Sequence, residues 1–131
     1  SGGTVSSAIV DAIQSVAGST PQDVSTSTQN VDGNPDNFDA TGFLKSIVPV
    51  EGSYMGITGT GYDRKDDTTF YQVTPGCFVD FGVEFYNDLR PPTETTTIYR
   101  ARIIVTGNGV ARLDERQVYI VVPPDGGTVL L

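Results

Sequence analysis

Apolar and polar residues alternate most strictly over 77–86, where Cys77, Val79, Phe81, Val83 and Phe85 share one face and Asp80, Gly82 and Glu84 share the other. A pleated strand aims all five apolar side chains at a core and leaves both carboxylates in water, whereas a helix would scatter them around its circumference. Pro75-Gly76 opens this strand, and Asn87-Asp88 followed by Pro91-Pro92 closes it.

The same reading predicts strands over 43–50, 68–73, 95–106 and 117–122. Pro49 marks the far end of the first of these as an edge or a bulge. Over 95–106, Thr97, Tyr99, Ala101, Ile103 and Val105 fall on one side, with Arg100 and Arg102 on the other. Its hairpin mate is 117–122, with Gly107-Asn108-Gly109 starting the connection and residues 113–116 filling a long or bulged loop. Two weaker strands are Val24, Thr26 and Thr28, which alternate only enough for an edge, and a short extension over 54–57 inside the glycine-rich stretch 52–61. One segment has another period. Val5, Ala8, Ile9, Ala12, Ile13 and Val16 recur at three- and four-residue spacing, predicting an amphipathic helix over 5–17, with Thr4 as its cap, Gly18 as its C-terminal residue and Pro21 blocking continuation. Strands separated by turns at these intervals predict an all-β fold, an immunoglobulin-like antiparallel sandwich carrying one N-terminal helix. The expected organisation is a terminal helix over 1–18, a polar linker or edge strand over 19–40, the sandwich over 41–124 and a tail over 125–131.

The run SGGTVSSAIVDAIQSVAG at 1–18 resembles the end of a von Willebrand factor A domain, where a small-Gly-Gly turn leads into the last amphipathic helix. The segment 38–124, with its Pro-Gly opening, its FGVEFYND strand and a terminal VYIVVPP, is similar to the Ig-like modules that follow A domains in exported bacterial proteins. The resemblance implies an extracellular or cell-surface module for adhesion, assembly or spacing, with an adjacent A domain or another protein as its partner. Its export signal is expected upstream of the residues shown.

Composition narrows the function classes. The 131 residues suit one domain. Sixteen acidic against eight basic residues give a net charge of −8, which repels phosphate backbones and anionic membranes. Nucleic acid is not an expected partner, and no apolar run reaches the length of a membrane span. The single cysteine, Cys77, forms no internal disulfide and is expected as a buried core residue. The chain has no histidine, which removes Ser-His and Cys-His nucleophile pairs and the commonest zinc ligand. Asp80 and Glu84 lie four residues apart on one strand, more than about 10 Å, too far for a glycosidase pair. No catalytic residue is assigned and no enzyme is expected.

Four oxygen-bearing residues at alternating positions, Asp32, Asn34, Asp36 and Asp39, have the spacing of a calcium loop. Asn37 stands where that loop wants glycine, and Phe43 where it wants its bidentate glutamate, so an Asx-rich turn is the competing account. Calcium is the one cofactor considered. Asp23-Val24-Ser25-Thr26-Ser27 spells the D-x-S-x-S of an A-domain metal site, but lacks the buried strand before it and the helix after it. Lys45 stands among apolar residues, and some bacterial Ig-like modules cross-link such a lysine. Asn87 and Asn108 would be its partners and Glu84 the catalyst, against the commoner reading of a snorkelling edge lysine. The acidic segments 32–39 and 63–67 and the pair Asp114-Glu115 are the expected binding loops, for a cation or a basic partner. The runner-up function is a small-ligand or carbohydrate-binding sandwich that uses exposed tyrosines and these loops.

Overall fold

The computed structural model describes the backbone of residues 6–13 and the whole of 20–131. Among the described residues ten strands build two antiparallel sheets: β1 (Ser6–Ile13), β2 (Gln22–Asn30), β3 (Leu44–Tyr54), β4 (Ile57–Thr58), β5 (Arg64–Lys65), β6 (Thr69–Val73), β7 (Phe78–Phe85), β8 (Thr97–Gly107), β9 (Ala111–Val122) and β10 (Val129–Leu130). The smaller sheet runs β1-β7-β3-β4 and the larger β10-β9-β8-β2-β6-β5. Two short 3-10 turns, Pro35–Asn37 and Ala40–Phe43, lie between β2 and β3.

The alternation over 77–86 is realised as expected. Cys77, Val79, Phe81, Val83 and Phe85 are all buried, while Glu84 is exposed and Asp80 half-buried. Opposite them lie Val24 of β2, Phe70 and Val73 of β6, Tyr99, Ala101, Ile103 and Val105 of β8, and Val118, Ile120 and Val122 of β9, in one shared core. The sheets meet through Phe70 and Phe81, whose rings stand edge to face at 5.3 Å, and Tyr62 closes edge-on against Phe70 at 5.1 Å. At the other end of the core Phe43 lies 4.9 Å from Tyr99 and 5.3 Å from Phe38.

Several expectations need correction. Ser6–Ile13 is a strand, pairing antiparallel with β7 from Ser6 opposite Phe85 to Ile13 opposite Val79, in place of the expected helix. The helical spacing is a weak local preference, and here the unpaired backbone of β7 outweighs it. Thr4, Val5, Val16 and Gly18 lie outside the described residues. Within 19–40, expected as a linker or an edge strand, β2 is a strand of the larger sheet, paired with β8 from Val24 to Asn30 and with β6 from Gln22 to Ser25. Only beyond Ser25 does it keep an open edge. The connection between β8 and β9 is short, and the residues expected to fill it, 113–116, continue β9, with Leu113 as the extra residue of a bulge opposite Val105 and Thr106. The C-terminal stretch is not a free tail, since Val129 and Leu130 pair with Val121 and Ile120. The extension over 54–57 is a two-residue hairpin, with Met55 and Gly56 both at positive φ, the twist a tight β-turn requires. Pro49 sits at a bulge in β3 opposite Phe81, on an edge paired only to β7 at that point.

Phe81 is 1 % exposed at the centre of this contact, so Phe81→Ala is expected to cost about 3–5 kcal/mol in a denaturant titration. Cys77 is fully buried, and burial pushes its thiol pKa up. It should resist thiol reagents until the protein unfolds. Prompt labelling in the native state would place this face outside the core.

Candidate functional site

The residues of the expected calcium loop lie in the connection between β2 and β3. Asn34 points inward and is 5 % exposed. Its Nδ2 donates to the Arg100 carbonyl at 2.9 Å, to Asn30 Oδ1 at 3.1 Å and to the Val31 carbonyl at 3.2 Å, and its Oδ1 accepts from the Arg100 N–H at 2.7 Å. Along β2 and β8 the hydrogen-bonded pairing starts at Asp23 and Asn108, where Asn108 N–H donates to the Asp23 carbonyl at 2.7 Å. Counting by twos from there, the next main-chain pair past Gln29 and Arg102 falls at Arg100, and the Asn34 carboxamide takes it by mimicking a peptide group.

The other three candidates have separate tasks. Asp36 forms an ion pair with Arg90. Asp39 caps the second 3-10 turn, accepting from Thr41 N–H at 3.0 Å and Thr41 Oγ1 at 2.6 Å. Asp32 offers its carbonyl to Arg100 Nη2 at 3.2 Å. The side chains of Asn34, Asp36 and Asp39 therefore do not converge on one point. Among the described residues no group of three or more His, Cys, Asp or Glu is arranged to hold a metal ion.

Two further residues act at this end: Asn87, read from sequence as a turn residue and a cross-link partner, and Arg90, which was not singled out. Asn87, 2 % exposed, accepts from Arg90 N–H at 2.8 Å and Leu89 N–H at 3.1 Å, and donates to the Arg90 carbonyl, fixing the turn that leaves β7. Arg90 lies 5.0 Å from the centre of the Phe38 ring, and its Nε donates to Tyr99 Oη at 3.4 Å. The Asx-rich segment 32–39 and the dipeptide Asn87-Asp88 suggested turns in the sequence, but their long-range partners were invisible.

Lys45 does not meet Asn87, Asn108 or Glu84. Its Nζ lies 2.7 Å from Asp88 Oδ1 and 2.7 Å from the Gly42 carbonyl, over the Tyr86 ring at 4.7 Å. Asn108 instead accepts from Asp23 N–H at 2.9 Å. The D-x-S-x-S residues are spread along β2: Asp23 accepts from Gln72 N–H at 3.1 Å, and Ser25 Oγ lies 3.3 Å from Thr106 Oγ1.

The three acidic segments are also apart. Asp114 and Glu115 belong to β9, opposite Val105 and Ile104, with Glu115 paired to Arg112 at 2.8 Å and Arg102 at 3.5 Å. Segment 63–67 flanks β5 at the far edge of the larger sheet. There Asp66 accepts from Tyr71 Oη at 2.6 Å, Thr68 N–H at 2.9 Å and Thr69 N–H at 2.9 Å, and these donors, Tyr71 first, hold its carboxyl down at about 2. Glu51 is lowered too, chiefly by the Gly52 N–H and then by Tyr62 Oη, each at 2.9 Å.

Two concavities are open to solvent. A polar one of about 160 Å³ is lined by Asn30, Val31, Asp32, Gly33 and Asn37. A shallower groove of about 260 Å³ lies between the open end of β2 at 26–28 and the start of β3 at 44–47. Comparison with protein-family models, with curated proteins and with solved structures finds no match to this chain.

Asn34→Ala strands the main-chain groups of Arg100 and the Val31 carbonyl, and is expected to cost about 3 kcal/mol at about 1–3 kcal/mol per unpaired buried group. Asn34→Asp sets a carboxylate against the Arg100 and Val31 carbonyls, so its folded-state pKa rises. That variant should be weakest above the normal carboxylate pKa and recover as pH falls. Millimolar calcium should leave the melting temperature of the parent unchanged, and a rise that disappears in Asp36→Ala would restore the metal loop.

The depressed pKa of Asp66 carries the opposite sign. Its contribution is fully present above the ordinary value of 3.8 and is lost as pH falls through about 2. Between pH 4 and 2, melting temperature should fall less in Asp66→Asn than in the parent, with Tyr71→Phe between them.

Proposed function

We propose that this chain is a non-catalytic adhesion, assembly or spacer module of an exported bacterial protein, extracellular or on the cell surface. The observation that carries the reading is the employment of its candidate chemistry: Asn34, Asp36, Asp39, Lys45, Asp66 and Cys77 are each committed to partners within the chain. A frame that spends its polar side chains on fastening loops to sheets suits transmission of force or separation of neighbours.

The architecture is read as immunoglobulin-like in its two facing layers. Its strand order departs from the ABED and CFG arrangement. With the seven longer strands lettered A to G in chain order, B lies beside F and C beside E, as β2 beside β8 and β3 beside β7. The neighbour implied by residues 1–18 is an A domain. In this chain Ser6–Ile13 lies on the outer edge of the smaller sheet, where a preceding domain would compete for it.

A glycan and small-ligand screen tests the reading, because a spacer shows no saturable site and the carbohydrate-binding alternative requires one. Deleting residues 1–18 removes one edge strand and keeps the described core residues of β2, β6, β7, β8 and β9 in the chain. The shortened chain should therefore melt cooperatively at a lower temperature. Loss of cooperative melting would show that β1 is integral to the fold and is not borrowed from a neighbour.

A further inference from the structure

The outer faces of the two sheets differ in a way the core does not require. On the larger sheet Ile98 lies opposite Val121, which lies opposite Val129, so one row across β8, β9 and β10 is wholly apolar. The adjacent row on the same face holds Arg100 opposite Tyr119, which exchanges both main-chain hydrogen bonds with Leu131 at 2.8 and 2.9 Å. Ile98 is 51 % exposed, Tyr119 41 %, Val129 45 % and Leu131 71 %. Arg102 continues the face one row further, opposite Gln117, and is paired at 3.5 Å with Glu115, so Arg100 carries most of the positive charge next to the apolar row.

The smaller sheet shows the complement. Along the outer face of β7 stand Phe78, 44 % exposed, then Asp80, Gly82 and Glu84, opposite Ser53, Glu51, Val48 and Ser46 of β3. These paired rows contain three carboxylates and no basic residue. Each face has an apolar anchor followed two residues along its strand by a charge, Ile98 by Arg100 on one and Phe78 by Asp80 on the other. In a chain of net charge −8, copies repel unless a basic patch meets an acidic one, and this pair of faces supplies that match.

We propose that the outer face of the larger sheet docks on the outer face of the smaller sheet of a second copy of this chain. The faces differ, so the contact is head to tail, and repetition yields an open row of modules unless the rotation closes a ring. The two faces bring together aromatic and arginine side chains, Phe78, Tyr119 and Arg100, the types that dominate such contacts. The proposal deepens the assembly reading above by naming the partner.

Sedimentation velocity over a concentration series tests it. The parent chain should associate at low ionic strength and dissociate toward monomer at high salt, as screened charges require. The double variant Ile98→Asp, Val129→Asp removes one face and Phe78→Asp the other. Each alone should raise the association midpoint by about tenfold or more. Mixed together, they should form a species that stops at two copies, since each retains one intact face. Unchanged melting curves show that the variants fold. A parent that stays monomeric at every concentration, association that neither variant weakens, or a mixture without the dimer overturns the proposal. A monomeric parent would leave the spacer reading standing, because that rests on the ligand screen.

Discussion

Burial of one face of β7 against β6 and β8 is the contact on which the remaining structure depends. Five side chains from 77 to 85 lose almost all contact with water there, and the Phe81 ring seats on Phe70 across the gap between the sheets. At about 1.5–3 kcal/mol for each large apolar side chain removed from water, this face outweighs any polar contact in the molecule. It also fixes the layer order. β3 and β1 flank β7 because it has two edges to satisfy, and the chain returns to the larger sheet for β8 and β9, whose inner residues complete the core.

The polar groups act at the ends, where apolar burial stops. Asn34 extends the β2–β8 ladder with a side chain once the backbone of β2 turns away, and Asn87 does similar service where β7 ends. Between them Arg90 joins Asp36, Phe38 and Tyr99. The loop that looked like a ligand site is thereby a fastening. Its oxygens point to different partners, so the alternating spacing that suggests a calcium loop serves a different geometry.

Charge is distributed by face as well as by number. Carboxylates line the outside of the smaller sheet, while Arg100, an apolar row and the ion-paired Arg102, Arg112 and Glu115 occupy the outside of the larger one. An isolated sandwich needs only polar outer faces. The difference in charge between the two is the basis of the proposed stacking of copies.

Strands β3, β6, β7, β8 and much of β9 were legible from the sequence alone, because a period of two with apolar residues on one side is a local property that survives any choice of partner. The buried set on β7 and β8 followed from the same alternation. Only the tertiary structure decided the rest. Val24 is the sole fully buried residue of β2, so nothing in 22–30 advertised a strand held between two others by its backbone. Residues 6–13 carry helical spacing yet lie along β7, because local propensity is small beside the hydrogen bonds an open edge offers. The tasks of Asn34, Asp36 and Lys45 were hidden for one further reason. Each was chosen by a partner 43 or more residues away, at Arg100, Arg90 and Asp88, which came within reach only when β2 paired with β8 and β3 with β7.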